Sequence, residues 1–440
     1  MRKLLSLLVA AVLLPVAANA DILKNVKLTG EIQTIASDVK TNADYLNLGS
    51  GATWYNSGAK TRALAGLSFD VVEDVTANVL FQYAYNWGDN NYTNNGFSNG
   101  EGAKLVNANV VLHNLFCNLE VTVGRQFYGE DGSPIIYFGP NHYNAEGMGL
   151  ASALDAVVAT YGDDVKTLTL VAGKVADLTN GTLATPDKAE VRSNIFGGDF
   201  KLNVTDALTA NLYGYDFTGK NIYDYSTTPA GITPLGGDEI KHMGVYGGKL
   251  GLTTDAFRAS AEYARNFSGH RLVKEHKDTP YMVKADIAAD IKAVTARGTF
   301  LYAKNNPDGA VPFSGLGNYA PGLLMGHRLS AGLMESIFTY DVTGIRMFNV
   351  GFDVKPAEKW TVSLDGYSFQ SRDGHHTTYE ADLTAKYAHN EYVELFAGIG
   401  YAKYGNATNY FAASMMGADT YKNTFGSENY KGQLGMLVRF

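Results

Sequence analysis

The sequence predicts an all-β protein whose strands close into one transmembrane antiparallel β-barrel of about 18 strands, within a range of about 16 to 20. Three observations predict this fold. Apolar and polar residues alternate along many segments, the connections between these segments are short and long in turn, and the chain opens with an export signal. The composition agrees, because 48 Gly, 28 Tyr, 11 Pro and 18% charged residues suit strands and turns.

The start of the chain is predicted to be a signal peptide for Sec-type export. Two basic residues come first, an apolar core of Leu4 to Leu14 follows, and Ala18-Asn19-Ala20 offers a cleavage site of small residues. The apolar core is shorter than the roughly 20 residues that a membrane-spanning helix needs. We therefore expect residues 1–20 to be removed and residues 21–440 to form a single outer-membrane β-barrel domain.

The alternation that defines the strands is clearest in "VTANVLFQYAYNW" (75–87). Val79 and Phe81 belong to an apolar face, whereas Asn78 and Gln82 belong to a polar one. A strand places such residues on opposite faces, and a helix would scatter them around its circumference. The same pattern predicts strands, in chain order, at 24–36, 60–71, 75–87, 103–113, 118–128, 151–161, 165–175, 190–203, 208–219, 242–253, 256–267, 280–289, 291–303, 342–354, 359–371, 377–388, 391–404 and 428–440.

The connections fall into two classes of length, which orient the predicted barrel. Joints such as "VVEDV" (71–75) and "KPAEK" (355–359) are tight, whereas stretches such as 37–59 and 405–427 are long and rich in Gly, Asn and Tyr. Short periplasmic turns and long extracellular loops are typical of outer-membrane barrels. The segment 304–341 leaves the strand count open, because it could hold another hairpin or a small helix.

The last predicted strand runs to the final residue of the sequence. Leu434, Met436, Val438 and Phe440 share one face, and the other face is polar apart from Leu437. A closed barrel must pair its last strand with its first, so we expect this strand to close the barrel. A terminal aromatic residue is also similar to the signature that the barrel-assembly machinery reads in bacterial outer-membrane proteins, which predicts Phe440 as an assembly signal.

Two stretches carry a resemblance to known proteins. "TTYEADLTAKYAHNEYVELFAGIGYAKYG" (377–405) resembles the closing hairpin of the alginate-export family of porins, with an acidic residue, an Asp and a Tyr before a short turn and a Gly-rich strand after it. "VTVGRQFYG" (121–129) is similar to a Gly-Arg-Gln strand end in the same and related porins. The resemblance implies a barrel of about 18 strands and passive diffusion. It does not imply alginate as the solute, which would require a strongly cationic lumen.

Side chains on the face opposite the apolar one are predicted to line the lumen. The predicted pore-lining residues are Lys27, Glu31, Arg62, Lys249, Arg258, Glu262, Lys284, Asp286, Arg297, Asp365, Glu380, Asp382, Lys386, Glu394 and Lys431. Together with Asp70, which could instead face the periplasm at its strand end, this set holds as many acidic as basic members. In a hydrated channel, a wall with such charges would give weak ion selectivity. Alternatively, the charges pair and hold the barrel wall together.

Arg125 breaks the alternation of its strand. It shares a face with Val121 and Val123, which are predicted to meet lipid, where an Arg at mid-depth costs about 2–4 kcal/mol. Either a bulge at Gly124 turns the side chain inward or it lies at the level of the lipid headgroups. The bulge is the expectation.

The third long loop, "GEDGSPIIYFGPNHYNAEGMGL" (129–150), is predicted to fold into the barrel and narrow it. Ile135–Phe138 would form an apolar patch if it were left in water, and the glycines allow sharp bends. Folding inward would bring Glu130, Asp131 and Glu146 to the constriction. The alternatives are that the loop only caps the barrel or packs on a neighbouring protomer.

The function predicted from these features is that of an outer-membrane porin for the passive diffusion of small hydrophilic solutes. A weak cation preference is expected, because the long loops carry nearly all of the negative net charge of the exported chain. The net charge of the full sequence, with its signal peptide, is −8. A structural or adhesive major surface protein is the alternative. A barrel-embedded hydrolase is weaker still, since no nucleophile occurs with a base and an orienting residue nearby.

The expected partners follow from this location. They are outer-membrane lipid and lipopolysaccharide, the barrel-assembly machinery and small hydrophilic solutes, with a monomer or a homotrimer as the assembly. The acidic balance argues against nucleic acid. No cofactor or metal is predicted, because Cys117 has no cationic neighbour in "NLFCN" and the pair His375-His376 has no carboxylate or Cys companions.

Overall fold

The computed structural model describes most of the chain after its first residues. The described residues are 24–43, 54–87, 103–116, 118–143, 148, 151–175, 192–223, 240–268, 279–304, 313, 315–324, 344–372, 377–404 and 425–440. The predicted signal peptide, Cys117, Glu146 and the pair His375-His376 lie outside them.

Eighteen strands follow the chain in order around the barrel, and each pairs antiparallel with the next. Their bounds are β1 (Lys24–Ala43), β2 (Trp54–Val72), β3 (Val75–Asn86), β4 (Lys104–Leu115), β5 (Leu119–Gln126), β8 (Leu154–Gly162), β9 (Lys166–Val175), β10 (Arg192–Asn203), β11 (Leu208–Tyr223), β12 (Ile240–Thr253), β13 (Phe257–Ser268), β14 (Tyr281–Ile291), β15 (Val294–Lys304), β16 (Gly344–Ala357), β17 (Trp360–Ser371), β18 (Thr377–Ala388), β19 (Val393–Tyr404) and β20 (Phe425–Arg439). Between β5 and β8, a separate small sheet pairs β6 (Tyr128–Gly129) with β7 (Tyr137–Phe138).

The first strand closes the barrel, because β1 pairs with both β2 and β20. In the register of β1 and β20, Ile32 lies opposite Val438 and Ile35 lies opposite Gly435. Gly30 and Phe440 exchange two backbone hydrogen bonds of 2.9 and 3.0 Å. The prediction of a closed, 18-stranded antiparallel barrel is therefore confirmed.

The outer face of the barrel is apolar, as the alternation predicts. Leu212 and Leu434 are both 63% exposed although they are large apolar residues, which is the pattern of a lipid-facing surface. Aromatic rings flank this band near its two edges. Tyr401 lies towards the long connections, and Trp360 packs on Tyr387 beside the short turns with 4.9 Å between ring centroids.

The hairpin of β1 and β2 extends further than predicted. The predicted strands are 24–36 and 60–71, but β1 continues to Ala43, β2 begins at Trp54, and the two pair as far as Thr41 opposite Trp54. The added residues keep the backbone register, with Val39 opposite Asn56. Their sequence lacks a clean apolar alternation, because the far ends of such strands extend beyond the lipid and need no apolar face.

The expected bulge at Gly124 is wrong. Residues 123–125 lie opposite residues 108–110 of β4 without a register shift, so Arg125 keeps the outward face of the exposed valine two positions before it. Gly124 instead has a φ of 122°, a backbone conformation that favours glycine. The guanidinium of Arg125 pairs with Asp155 on β8 at 3.1 Å. Both residues lie at the ends of their strands next to the long connection, where a paired charge costs less than in the lipid core.

The segment 304–341 adds no strand to the barrel among its described residues. Residues 315–324 lie inside the barrel, and the next barrel strand after β15 is β16. None of the described residues belongs to a helix that is long and apolar enough to cross a membrane.

Replacing Leu212 by Arg should reduce the stability of the membrane-embedded barrel by about 2–4 kcal/mol, because the new charge would face lipid. Thr209 on the same strand is the matched control, since it lies on the inner face opposite Asn203 and Gly251, and Thr209→Arg should cost much less. Urea titration of both variants folded into bilayers measures the difference. Equal losses for the two variants would contradict these orientations.

Candidate pore lining and constriction

The predicted pore-lining residues share the inner face of the sheet. On β18, Glu380 and Asp382 are buried, whereas Tyr379 and Leu383 beside them are 57% and 42% exposed to the outside. The cross-strand register extends this face around the barrel, because directly paired residues of neighbouring strands point to the same side. Asp382, for example, lies opposite Asp365 of β17.

One group of predicted residues forms a ladder across β12, β13 and β14. Lys249 lies opposite Glu262, and Glu262 lies opposite Lys284. The ammonium of Lys284 pairs with Asp286 at 2.5 Å. Glu262 also accepts a hydrogen bond of 2.8 Å from the hydroxyl of Tyr213 on β11. Alternating charges thus follow each other from strand to strand along this part of the wall.

A second group surrounds Arg297 on β15. Its guanidinium donates to Asp353 of β16 at 2.8 Å and to Asp365 of β17 at 3.0 Å. Nearer the short turns, Arg258 donates to Asp290 at 2.7 Å. Asp353 and Asp290 were absent from the predicted set, although they share the inward parity of their strands and the same rule identifies them.

Two of the remaining predicted residues, Lys27 and Asp70, lie at the short-turn end of the barrel, away from these groups. There Asp70 accepts hydrogen bonds from Asn25 and Thr76. The wall alone therefore does not bring all the predicted charges together.

A segment between β5 and β8, residues 127–143, crosses the interior of the barrel; we call it the first inner segment. At one end, the hydroxyl of Tyr128 lies 3.2 Å from that of Tyr215 on β11. At the other end, Gln433 on β20 donates to the backbone oxygen of Tyr143 at 2.7 Å. Since β11 and β20 lie on opposite sides of the ring of strands, the segment spans the lumen.

The apolar run of the first inner segment is buried, as inward folding requires. Ile135, Ile136 and Phe138 are 3%, 5% and 1% exposed. Burial of such side chains contributes about 1.5–3 kcal/mol each. Glu130 and Asp131 lie on the exposed surface of the same segment.

A small apolar cluster holds the end of this loop against the wall. Met148 packs with Ile35 of β1, Phe396 of β19 and Leu437 of β20, and all four are buried. This contact explains why Leu437 interrupts the polar face of the last strand. The side chain faces inward, but it meets the loop rather than water.

A second inner segment, residues 315–324, is bound to the wall by charged side chains. The backbone N–H of Leu323 donates to Asp382 at 2.9 Å, and that of Leu324 donates to Glu380 at 2.7 Å. The ammonium of Lys431 donates to the backbone oxygen of Leu323 at 3.1 Å. Three of the predicted pore-lining residues therefore serve as anchors for this segment.

The two inner segments form one unit in the lumen. Tyr137 donates its backbone N–H to Leu316 at 2.9 Å, and Leu316 donates to Ile135 at 2.8 Å. Asn318 donates to Asp131 at 2.6 Å. Gly317 lies so close to the backbone of residue 133 that a Cβ would collide with it. The pairing of β6 and β7 is thus extended by a third piece of chain.

His142 joins the first inner segment to the strands. Its Nε2 lies 2.9 Å from Glu31 of β1, and its Nδ1 lies 3.6 Å from Asp131. Burial lowers the pKa of His142, but the nearby carboxylate of Asp131 and the hydrogen bond to Glu31 outweigh it and raise the pKa above the ordinary 6.5. The same contact lowers the pKa of Asp131.

Sequence reasoning missed His142 and the second inner segment. Neither belongs to an alternating stretch, and the residues that contact them are remote in sequence. For the second segment, the glycines and the apolar pair Leu323-Leu324 are the signals that could have drawn attention to it.

Solved structures of outer-membrane porins share this fold. OccK3 (OpdO) of Pseudomonas aeruginosa matches with a TM-score of 0.60 at 11% identity, over 96% of this chain and 97% of that chain. OccK11 (OpdR) of the same species matches with a TM-score of 0.58 at 9% identity, over 94% and 96%. A BenF-like porin from Pseudomonas fluorescens Pf-5 matches with a TM-score of 0.59 at 11% identity, over 95% and 100%.

The sequence itself matches no family model and no curated protein. The likeness to the solved structures shows that the chain has the fold of the outer-membrane porins. The resemblance to the alginate-export family in residues 377–405 stays a prediction.

Removing the anchors of the second inner segment should loosen it. In the double variant Glu380→Ala with Asp382→Ala, two buried backbone N–H groups lose their carboxyl acceptors, which costs about 1–3 kcal/mol each. Hydrogen exchange of residues 315–324 should become roughly tenfold faster or more. Asp290→Ala is the control, because this carboxylate pairs with Arg258. Unchanged exchange in the double variant would show that other contacts hold the segment.

Proposed function

We propose that this protein is an outer-membrane channel for the passive diffusion of small hydrophilic solutes. The observation that carries the proposal is the closed ring of eighteen strands with charged side chains on its inner face from β12 to β17, because a barrel of this size is wider than its wall side chains fill. Likeness to porins over nearly the whole chain supports it. The outer-membrane location and periplasmic short turns belong to the same proposal.

The inner segments would restrict passage to small solutes. The first crosses the lumen between opposite walls, and the apolar residues of both pack against each other and against the strands. Solutes would then pass beside this unit, along the ladder of Lys249, Glu262 and Lys284 and the group around Arg297. Ions and polar molecules can exchange water for such side chains at low cost.

A weak preference for cations is the second part of the proposal. Glu130 is exposed on the first inner segment, and the side chain of Asp131 is 53% exposed. On the wall, Arg297 faces both Asp353 and Asp365, so the carboxylates outnumber the guanidinium there. Elsewhere on the wall, Lys284 pairs with Asp286 and Arg258 pairs with Asp290, which keeps the excess small.

The two alternative functions predicted from the sequence would require different structural features. A structural or adhesive surface protein would need no solute path. A barrel-embedded hydrolase would need a nucleophile together with a base and an orienting residue, whereas Asp286 pairs with Lys284, and Asp353 and Asp365 pair with Arg297. The proposal also includes contacts with lipopolysaccharide, assembly by the barrel machinery through Phe440, and a monomeric or homotrimeric state.

Conductance across a planar bilayer tests the channel, and the reversal potential in a salt gradient tests its selectivity. We expect stable conductance with a weak cation preference that fades between about 0.1 M and about 1 M salt, as the screening length falls from about 10 Å to about 3 Å. Glu130→Gln with Asp131→Asn should reduce the preference. The control is Asp206→Asn with Asp255→Asn, which removes the same charge from exposed short turns.

The outcomes separate the candidates. An absence of conductance from correctly folded protein would reject the channel and favour a structural role. A preference for anions, or equal effects of the two double variants, would reject the assignment of selectivity to the first inner segment.

A further inference from the structure

We infer that His142 is a positioning residue whose positive charge holds the first inner segment against β1, so that the channel loosens and becomes more cation-selective when His142 loses its proton. The inference rests on the proposed function, because it concerns the regulation of the same site.

The hydrogen-bonding capacity of the ring is the first argument. Both ring nitrogens of His142 face carboxylates, since Nε2 lies 2.9 Å from Glu31 and Nδ1 lies 3.6 Å from Asp131. A protonated imidazole has two N–H donors and satisfies both oxygens. A neutral imidazole has one donor, and its other nitrogen would present a lone pair to a carboxylate. With Nε2 hydrogen-bonded to Glu31 and Nδ1 directed at the carboxylate of Asp131, the geometry favours the charged form.

The charges around the ring are the second argument. Arg62 on β2 is 1% exposed and donates to the other oxygen of Glu31 at 2.9 Å. With His142 protonated, the two carboxylates face two cations. Asn318 of the second inner segment, the hydroxyl of Tyr137 and the ring of Tyr143 also approach this group, and none of the three carries a charge near neutral pH. Loss of one proton leaves a net negative charge in the partly buried cluster.

The position of the partners decides which part of the cluster moves. Glu31 and Arg62 lie on paired strands of the barrel and stay bound to each other. His142 and Asp131 lie on the inner segment, where the surrounding backbone makes few ladder hydrogen bonds. The segment should therefore move away from the wall, while the anchor between Tyr143 and Gln433 limits how far it goes.

The direction of the pH dependence follows from the raised pKa of His142. A raised pKa in the folded state means that the proton stabilises the contact fully below the ordinary value of about 6.5. This stabilisation is lost as the pH rises through the higher folded value. Cation preference and current fluctuations should therefore increase on the alkaline side of neutrality.

The first test compares reversal potential and current noise from about pH 5 to about pH 9 in the wild type and in His142→Gln. The wild type should show a transition above about pH 6.5, and His142→Gln should show the high-pH behaviour throughout. His113→Gln is the matched control, because His113 also pairs with a carboxylate, Glu120, at 2.9 Å, but lies on the wall by the short turns. It should keep the transition.

Hydrogen exchange of residues 127–143 provides a second test that needs no conductance. Wild type and His142→Gln are compared at the same mildly acidic pH, so that intrinsic exchange rates cancel. Exchange should be about tenfold faster in the variant, the effect of losing a hydrogen bond to a charged group. His113→Gln should exchange like the wild type.

The outcomes distinguish this inference from the proposed function. A flat pH profile in a conducting wild-type channel, or a transition that survives in His142→Gln, overturns the role of His142 and leaves the channel intact. If no variant conducts, the proposed function fails, and the exchange experiment alone decides whether His142 holds the segment. Equal exchange in wild type and His142→Gln overturns it.

Discussion

The pairing of β1 with β20 is the interaction on which the rest of the structure depends. Hydrocarbon offers no partner to a backbone N–H or C=O, and each unpaired group there costs several kcal/mol. The two strands therefore pair along most of their length, from Glu31 opposite Arg439 to Thr41 opposite Asn429. The register also decides which side chains meet lipid. A slip of one residue would turn the charged inner face of a strand outward.

Closing eighteen strands into one barrel leaves a wide interior, and the inner segments fill part of it. The interior of an 18-stranded barrel is too wide for wall side chains to fill. On the half of the wall near the long connections, inward residues such as Met282, Leu301 and Phe369 are fully buried and apolar. They belong to the same cluster as the apolar residues of the inner segments. The barrel thus contains a packed core on one half and a charged wall on the other.

Charged residues of the same inward parity consequently have different physical roles. Arg258 and Asp290 are partly exposed to solvent, so their ion pair contributes little to stability and both stay accessible to a passing ion. Glu380 and Asp382 are buried beneath the second inner segment and accept its backbone N–H groups. Removing them leaves buried donors unpaired, which costs more than losing a surface ion pair.

The sequence by itself determined the barrel, its strand order and the inward parity of the wall, because lipid outside and water inside impose a period of two on every membrane-spanning strand. It also indicated that the loop with Ile135 and Ile136 had to be buried. Only the tertiary structure decided that Arg125 stays outside beside Asp155, that residues 315–324 bind to β18, and that His142 meets Glu31. The physical reason is that these contacts join residues remote in sequence, through side-chain geometry that leaves no periodic signal.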